Sequence, residues 1–67
     1  MSDRSEAELS HAIQRCAREC AGQPEPAVCV RRYCNELVRN ADWTQRDADA
    51  VEDAALRVIE HLRDVLP

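Results

Sequence analysis

The chain lacks lysine and phenylalanine, and it has one glycine among its 67 residues. Glycine and proline are the usual breakers of regular structure, and two of the three prolines lie beside that glycine in residues 22–26. Their scarcity elsewhere favours long helices over short strands joined by turns. The absence of phenylalanine means that a core must be built from leucine, isoleucine, valine, alanine and cysteine.

The motifs of common enzyme classes are also missing. A single glycine excludes a glycine-rich loop that would cradle a phosphate. No elbow motif surrounds the serines, and no Cys-x-x-Cys redox motif occurs. His11 and His61 stand beside no obvious nucleophile, so we expect both to be solvated surface side chains. We therefore predict a protein that is not an enzyme.

The charge is uneven along the chain, with a net value of −4. Residues 1–40 hold six acids and six arginines, whereas residues 41–67 hold seven acids and three arginines. An acidic balance argues against nucleic acid or an anionic membrane as the main partner, and it permits a protein with a basic surface. The polar start resembles no signal peptide, and no apolar run could span a membrane, so the cytosol is the default expectation.

A chain of this length forms one domain, and we predict a single all-α domain over residues 1–67. The expected helices cover about 5–21, 27–40 and 44–66. Ser5 and Thr44 are typical N-caps, and Pro26 suits the first turn of the second helix. Gly22 is expected to end the first helix in a left-handed conformation. The first two helices should form a hairpin, with the third amphipathic helix packed across it.

Apolar residues recur at helical spacing in the first and third segments. Leu9, Ile13, Cys16 and Cys20 follow one another at steps of four, three and four, which places them on one helix face. In the third segment the repeat at steps of three and four is formed by Ala48, Val51, Ala55, Val58 and Leu62. We expect both stripes to face the core, and self-association through the third is an alternative use of that face.

Four cysteines lie between residues 16 and 34, two on each arm of the predicted hairpin. Residues four apart on a helix share a face, so an antiparallel hairpin places Cys20 near Cys29 and Cys16 near Cys34. Two nested disulfides would pin both arms and would indicate an oxidising compartment. The alternatives are reduced thiols that pack in the core, and a metal site that holds zinc or Cu(I).

The predicted function follows from the missing catalytic motifs and the acidic surface. We expect a small acidic module that binds another protein, as an inhibitor, an adaptor or an assembly subunit. Aromatic and charged side chains are the candidate contacts: Tyr33, Trp43, Arg31, Arg32, Asp49, Glu52 and Asp53. The alternative is a thiol-based function, either metal binding or redox sensing, that uses Cys16, Cys20, Cys29 and Cys34.

Overall fold

The computed structural model describes residues 4–65, which form three α-helices and no β-strand. The helices are α1 (Glu6–Cys20), α2 (Pro26–Asn40) and α3 (Gln45–Val65). The first two form a hairpin, and each packs against α3. This confirms the predicted all-α fold, and the described helix boundaries lie within one residue of the predicted ones. The predicted end of the third helix at residue 66 lies outside the described residues.

Polar side chains cap the N-termini of two helices, as the sequence predicted. The backbone N–H of Glu8 donates to the Ser5 hydroxyl at 3.2 Å, and that hydroxyl lies 3.4 Å from the Glu8 carboxylate. At α3 the N–H of Asp47 donates to the Thr44 hydroxyl at 3.2 Å. These bonds satisfy N–H groups that have no partner within the helix. Pro26 is the first residue of α2, where its missing N–H leaves no bond unmade.

The core is built from small and medium side chains of all three helices. α1 and α2 each pack more extensively on α3 than on each other, so the hairpin is spread open over the third helix. Alanine and cysteine occupy much of the interior, and Tyr33 and Trp43 pack against it only partly buried. The buried apolar residues are Ala12, Cys16, Ala17, Cys20, Val30, Cys34, Ala48, Val51, Ala55 and Ile59.

The buried face of α3 differs from the predicted stripe in its second half. Val58 and Leu62 are 39% and 37% exposed, whereas Ile59 is 3% exposed. A step of four from Ala55 keeps Ile59 on the core face, because four residues complete little more than one helical turn. A step of three carries Val58 toward the edge. The predicted burial of Val58 and Leu62 is therefore wrong, and Ile59 takes their place.

The left-handed residue also lies in a different connection from the predicted one. Gly22 does not have a positive φ, and Ala21 ends α1 with a φ of −60°. Asp42 has a φ of 62°, a conformation that aspartate tolerates better than most residues. It reverses the chain after α2, and the backbone N–H of Trp43 donates to the Leu37 carbonyl at 3.1 Å. This turn places the indole beside the hairpin.

Arg4 joins the residues ahead of α1 to both ends of the α2–α3 connection. Its backbone N–H donates to Asp47 at 3.1 Å, and its guanidinium donates to Glu8 at 3.1 Å and to the Ala41 carbonyl at 2.8 Å. The guanidinium carbon also lies 5.1 Å from the centre of the Trp43 ring, within cation–π range. We call this set of contacts the Arg4 junction. It fastens the hairpin to α3 at the end opposite the α1–α2 turn.

The rotated face of α3 predicts unequal effects of two similar substitutions. Ile59→Ala should lower the free energy of unfolding by about 2–4 kcal/mol, because it empties a buried site. Leu62→Ala removes a side chain that keeps more than a third of its surface in water, so its cost should stay below about 1.5 kcal/mol. Urea unfolding followed by circular dichroism measures both. Equal losses would contradict the assignment of the core face.

The Arg4 junction predicts a second stability effect. Arg4→Ala removes two side-chain hydrogen bonds and the cation–π contact, so the free energy of unfolding should fall by about 1–2 kcal/mol. Arg39→Ala is the matched control, since Arg39 is an exposed arginine on α2. It should change stability by less than about 0.5 kcal/mol. Similar losses in the two variants would show that the junction adds nothing specific.

Candidate functional site

A disulfide joins the two arms of the hairpin next to the turn. It links Cys20, the last residue of α1, to Cys29 in the first turn of α2. Their Cα atoms are 5.5 Å apart, a usual separation for bridged cysteines. This is the inner of the two pairings that the sequence predicted. It closes the short connection that contains Pro24 and fixes the register of α1 against α2.

The outer cysteines lie side by side as two thiols. Cys16 is 0% exposed and Cys34 is 3% exposed, and the two free cysteines belong to the same core cluster. The sequence predicted a disulfide here, and the structure has a non-bonded pair instead. The unequal spacing accounts for part of the difference. Four residues separate the cysteines of α1 and five those of α2, so Cys34 is rotated out of line with Cys29.

Hydrogen bonding between the Cys16 and Cys34 side chains shifts their pKa values in opposite directions. It is the largest cause that raises the pKa of Cys16, and burial adds to it. The same bond lowers the pKa of Cys34 against the opposing effects of burial and of the Glu52 and Asp49 carboxylates. A thiolate on Cys34 would accept the remaining S–H of Cys16. Of the two thiols, Cys34 therefore loses its proton first.

The disulfide also bears on the predicted metal site. Among residues 4–65 no group of three or more His, Cys, Asp or Glu side chains is placed to hold a metal ion. Thiolates bind zinc and Cu(I), and a structural zinc takes four ligands. With Cys20 and Cys29 bonded to each other, two of the four predicted ligands are engaged. A zinc or Cu(I) site therefore remains a prediction for the fully reduced chain.

An apolar groove of about 350 Å³ opens between α1 and α2. We call it the aromatic groove. Its walls come from α1, from the second half of α2 and from the connection to α3. The lining residues are Ala7, Glu8, His11, Ala12, Arg15, Tyr33, Leu37 and Trp43. The groove therefore brings together the only tyrosine and the only tryptophan of the chain.

The groove exists because one of its walls carries small side chains. Ala7 and Ala12 leave space on α1 opposite Tyr33 and Leu37, which lie one turn apart on α2. Tyr33 is half-buried, and burial is the largest cause that raises the pKa of its hydroxyl. The left-handed Asp42 brings Trp43 to one end of this space. The result is an open apolar surface with polar groups along its rim.

Two basic side chains of α1, His11 and Arg15, line the aromatic groove. His11, Arg15 and Arg18 recur at steps of four and three, so they share an exposed face of α1. Arg4 stands over Trp43 at the other end of the groove. Arg15 and Arg4 both have acidic neighbours on α1, since Arg15 lies 3.4 Å from Glu19 and Arg4 lies 3.1 Å from Glu8. Exposed ion pairs of this kind exchange partners at little energetic cost.

The structure separates the predicted contact residues into distinct surfaces. Tyr33 and Trp43 meet in the aromatic groove, and the other five lie outside its lining. Arg31 and Arg32 are exposed on α2, where Arg32 borders a depression near Cys29. The acidic candidates are all on α3: Asp49, which accepts a 2.9 Å hydrogen bond from Gln45, Asp53, which pairs with Arg57 at 3.2 Å, and the half-buried Glu52.

Sequence reasoning missed the α1 wall of the groove. Ala7, His11 and Arg15 recur at every fourth position, and this spacing was available in the sequence as a sign of a shared helix face. The two histidines were expected to be solvated, and His11 is indeed exposed while also lining the groove. An alanine gives no sign by itself that it borders a cavity.

Comparison with known proteins finds no relative. No protein-family model matches the chain, and neither a curated protein nor a solved structure is significantly similar to it. None of the helices in the described part of the chain is long and apolar enough to cross a membrane. The functional interpretation therefore rests on the cysteines and on the aromatic groove.

The inner disulfide should contribute a large share of the stability. Reducing a bridge that closes a loop of about ten residues should lower the free energy of unfolding by roughly 2–3 kcal/mol. Urea unfolding with and without a phosphine reductant measures this loss. The Cys20→Ala/Cys29→Ala variant is the control, and the reductant should leave its stability unchanged. A variant that responds as the parent does would contradict the assignment.

Proposed function

We propose that this chain is a non-enzymatic module that binds a helix of a partner protein in its aromatic groove. The observation that carries the proposal is the meeting of Tyr33 and Trp43 on one open apolar surface. Large aromatic side chains dominate the binding energy of protein interfaces, and helix-in-groove docking is a common mode of recognition. An inhibitor, an adaptor or an assembly subunit can each act through such a contact.

The charge around the groove defines the partner helix further. His11 and Arg15 line the groove on α1, Arg18 continues the same helix face, and Arg4 lies over Trp43. The acids Glu8 and Glu19 are already paired with Arg4 and Arg15. A helix with an apolar stripe beside aspartate or glutamate would place its carboxylates against these basic side chains. Complementary charges of this kind set the orientation and the rate of docking more than the affinity. The partner segment is therefore an acidic amphipathic helix.

The acidic side chains of α3 form a different contact region. Asp49 and Asp53 are exposed on a helix that contributes nothing to the groove lining. They suit the basic surface that the sequence led us to expect on the partner. In this proposal the partner inserts its acidic helix into the groove and keeps basic residues outside it, where they face α3.

The inner disulfide supports an oxidising compartment as the place where the protein acts. Disulfides persist in oxidising compartments and are rare in the cytosol. The Cys20–Cys29 bridge therefore favours an oxidising compartment over the cytosolic default that the polar start suggested. The same bridge holds α1 and α2 in register, so the groove is formed before a partner arrives. A formed groove lowers the ordering cost of binding.

Selection from a displayed library of helical peptides tests the groove directly. The library varies both the apolar and the charged positions and omits tryptophan. Enriched peptides are then titrated while the emission of Trp43 is recorded, because Trp43 is the only tryptophan and lies in the groove. We expect peptides with an apolar stripe and flanking acids, and a shift of the Trp43 emission maximum on binding.

Two groove variants and two matched controls locate the contact. Arg15→Glu and Ala7→Gln should each weaken binding of the selected peptides by about tenfold or more. Arg57→Glu is the control for the first, since Arg57 is also exposed and paired with an acid four residues away. Ala50→Gln controls for the second at an exposed alanine of α3. Binding that falls equally in a variant and its control, or selected peptides without acids, would refute the proposal.

A further inference from the structure

Beyond the binding surface, the cysteines divide into one bonded pair and one thiol pair. We propose that Cys16 and Cys34 are a redox-active pair that closes to a second disulfide one turn from the permanent Cys20–Cys29 bridge. The proposal is independent of the aromatic groove and of any partner. It assigns a structural role to the inner pair and a reversible chemical role to the outer pair.

The register of the hairpin is the first argument. The inner bridge holds the Cα atoms of Cys20 and Cys29 5.5 Å apart and so fixes α1 against α2 at that level. Cys16 and Cys34 are the next cysteines outward on the two helices. Both are free cysteines, and both are buried in the same core cluster on helices whose register the inner bridge fixes. Their position on facing helices makes each the nearest candidate partner of the other.

Isolation from other reactive groups is the second argument. The Cys16 and Cys34 side chains are enclosed in the core, and no metal-binding group occurs among residues 4–65. Each thiol therefore faces one nearby sulfur partner across the hairpin. The intrahelical alternative, Cys16 with Cys20, would require the inner bridge to break first. Oxidation of the folded protein should consequently give a single product.

The oxidant is a small disulfide such as oxidised glutathione, and the electrons balance through two exchange steps. The Cys34 thiolate attacks one sulfur of glutathione disulfide, which forms a mixed disulfide and releases one glutathione thiolate. The Cys16 thiolate then attacks the Cys34 sulfur and releases the second glutathione. Two protein thiols are oxidised, one glutathione disulfide is reduced to two thiols, and the two protons pass to these thiols.

Cys34 and Cys16 act in different steps of the exchange reaction. Cys34 keeps 3% of its surface exposed and Cys16 none, so a partial opening of the hairpin uncovers Cys34 first. The hydrogen bond from Cys16 lowers the pKa of Cys34, which supports the same order. Cys16 is then the resolving thiol. Burial and the Glu52 and Asp49 carboxylates oppose ionisation of Cys34, but the net shift of its pKa is downward.

Burial makes the reaction slow in the folded protein. A tripeptide disulfide cannot reach side chains that are at most 3% exposed, so α1 must separate from α2 before each exchange. The rate should therefore follow the frequency of local opening, and it should rise with moderate denaturant. The same barrier should protect the closed bridge from reductants.

Tryptic mapping distinguishes the proposed pairing from every alternative, because arginine residues separate Cys16 and Cys34 from each other and from the inner cysteines. The protein is incubated with oxidised glutathione, both in buffer and at its unfolding midpoint in urea, then acid-quenched and alkylated. Trypsin cleaves after arginine and yields peptides 16–18, 19–31 and 33–39. Cys16 lies in the first and Cys34 in the third, whereas both inner cysteines lie in the second.

We expect peptide 16–18 to become linked to peptide 33–39, with loss of both alkylatable thiols and with the inner bridge intact inside peptide 19–31. The product should form faster at the unfolding midpoint than in buffer. Excess reduced glutathione should restore the two thiols slowly in buffer and faster at the midpoint. Thiols that remain alkylatable even at the midpoint would overturn the proposal, as would any product that links peptide 19–31 to another peptide.

Single variants test the order of the two exchanges. In Cys16→Ser the mixed disulfide between Cys34 and glutathione should accumulate, because the resolving thiol is missing. In Cys34→Ser the adduct on Cys16 should form more slowly. Circular dichroism confirms that both variants are helical, and intact mass records the adduct. Equal rates, or no adduct in Cys16→Ser at its own unfolding midpoint, would overturn the assignment of Cys34 as the attacking thiol.

Discussion

The bond between Cys20 and Cys29 sets the register on which the other features of the hairpin depend. A domain of this size buries too little surface to fix two helices strongly by packing alone. Once the arms are joined at the turn, each step outward along α1 meets a defined level of α2. Cys16 then meets Cys34, and further out Ala12 stands across the groove from Tyr33. One covalent constraint thus aligns both the thiol pair and the walls of the groove.

The small size of the core side chains explains why the surface between the arms is open. Alanine and cysteine allow α1 and α2 to approach α3 closely, and they leave little to fill the space between α1 and α2. Tyr33 and Trp43 lie along that space without closing it, since both keep part of their surface exposed. A chain with phenylalanine on α1 would fill the groove from within. The composition that makes the core compact is therefore also what leaves an apolar surface exposed between the arms.

Local chemistry made much of this architecture predictable from the sequence. Ser5, Thr44 and Pro26 mark helix starts, and the cysteine spacing predicted the inner pairing because it depends only on helical periodicity and one turn. The missed features depend on contacts distant in sequence. Gly22 does not have a positive φ, and the residue that does is Asp42 in the next connection. Ile59 replaces Val58 on the core face because the facing hairpin decides which edge of α3 is covered. The partners of Arg4, up to 43 residues away, carry no local signal.

The two ends of the hairpin are fastened by forces of different kinds. At the turn the fastening is covalent, whereas at the Arg4 junction it consists of hydrogen bonds and a cation stacked on a ring. Salt weakens the second and leaves the first untouched. The hairpin should therefore open at the Arg4 junction, while the disulfide holds the two helices together at the turn. Raising the ionic strength would then loosen the Arg4 end of the hairpin while the turn stays closed.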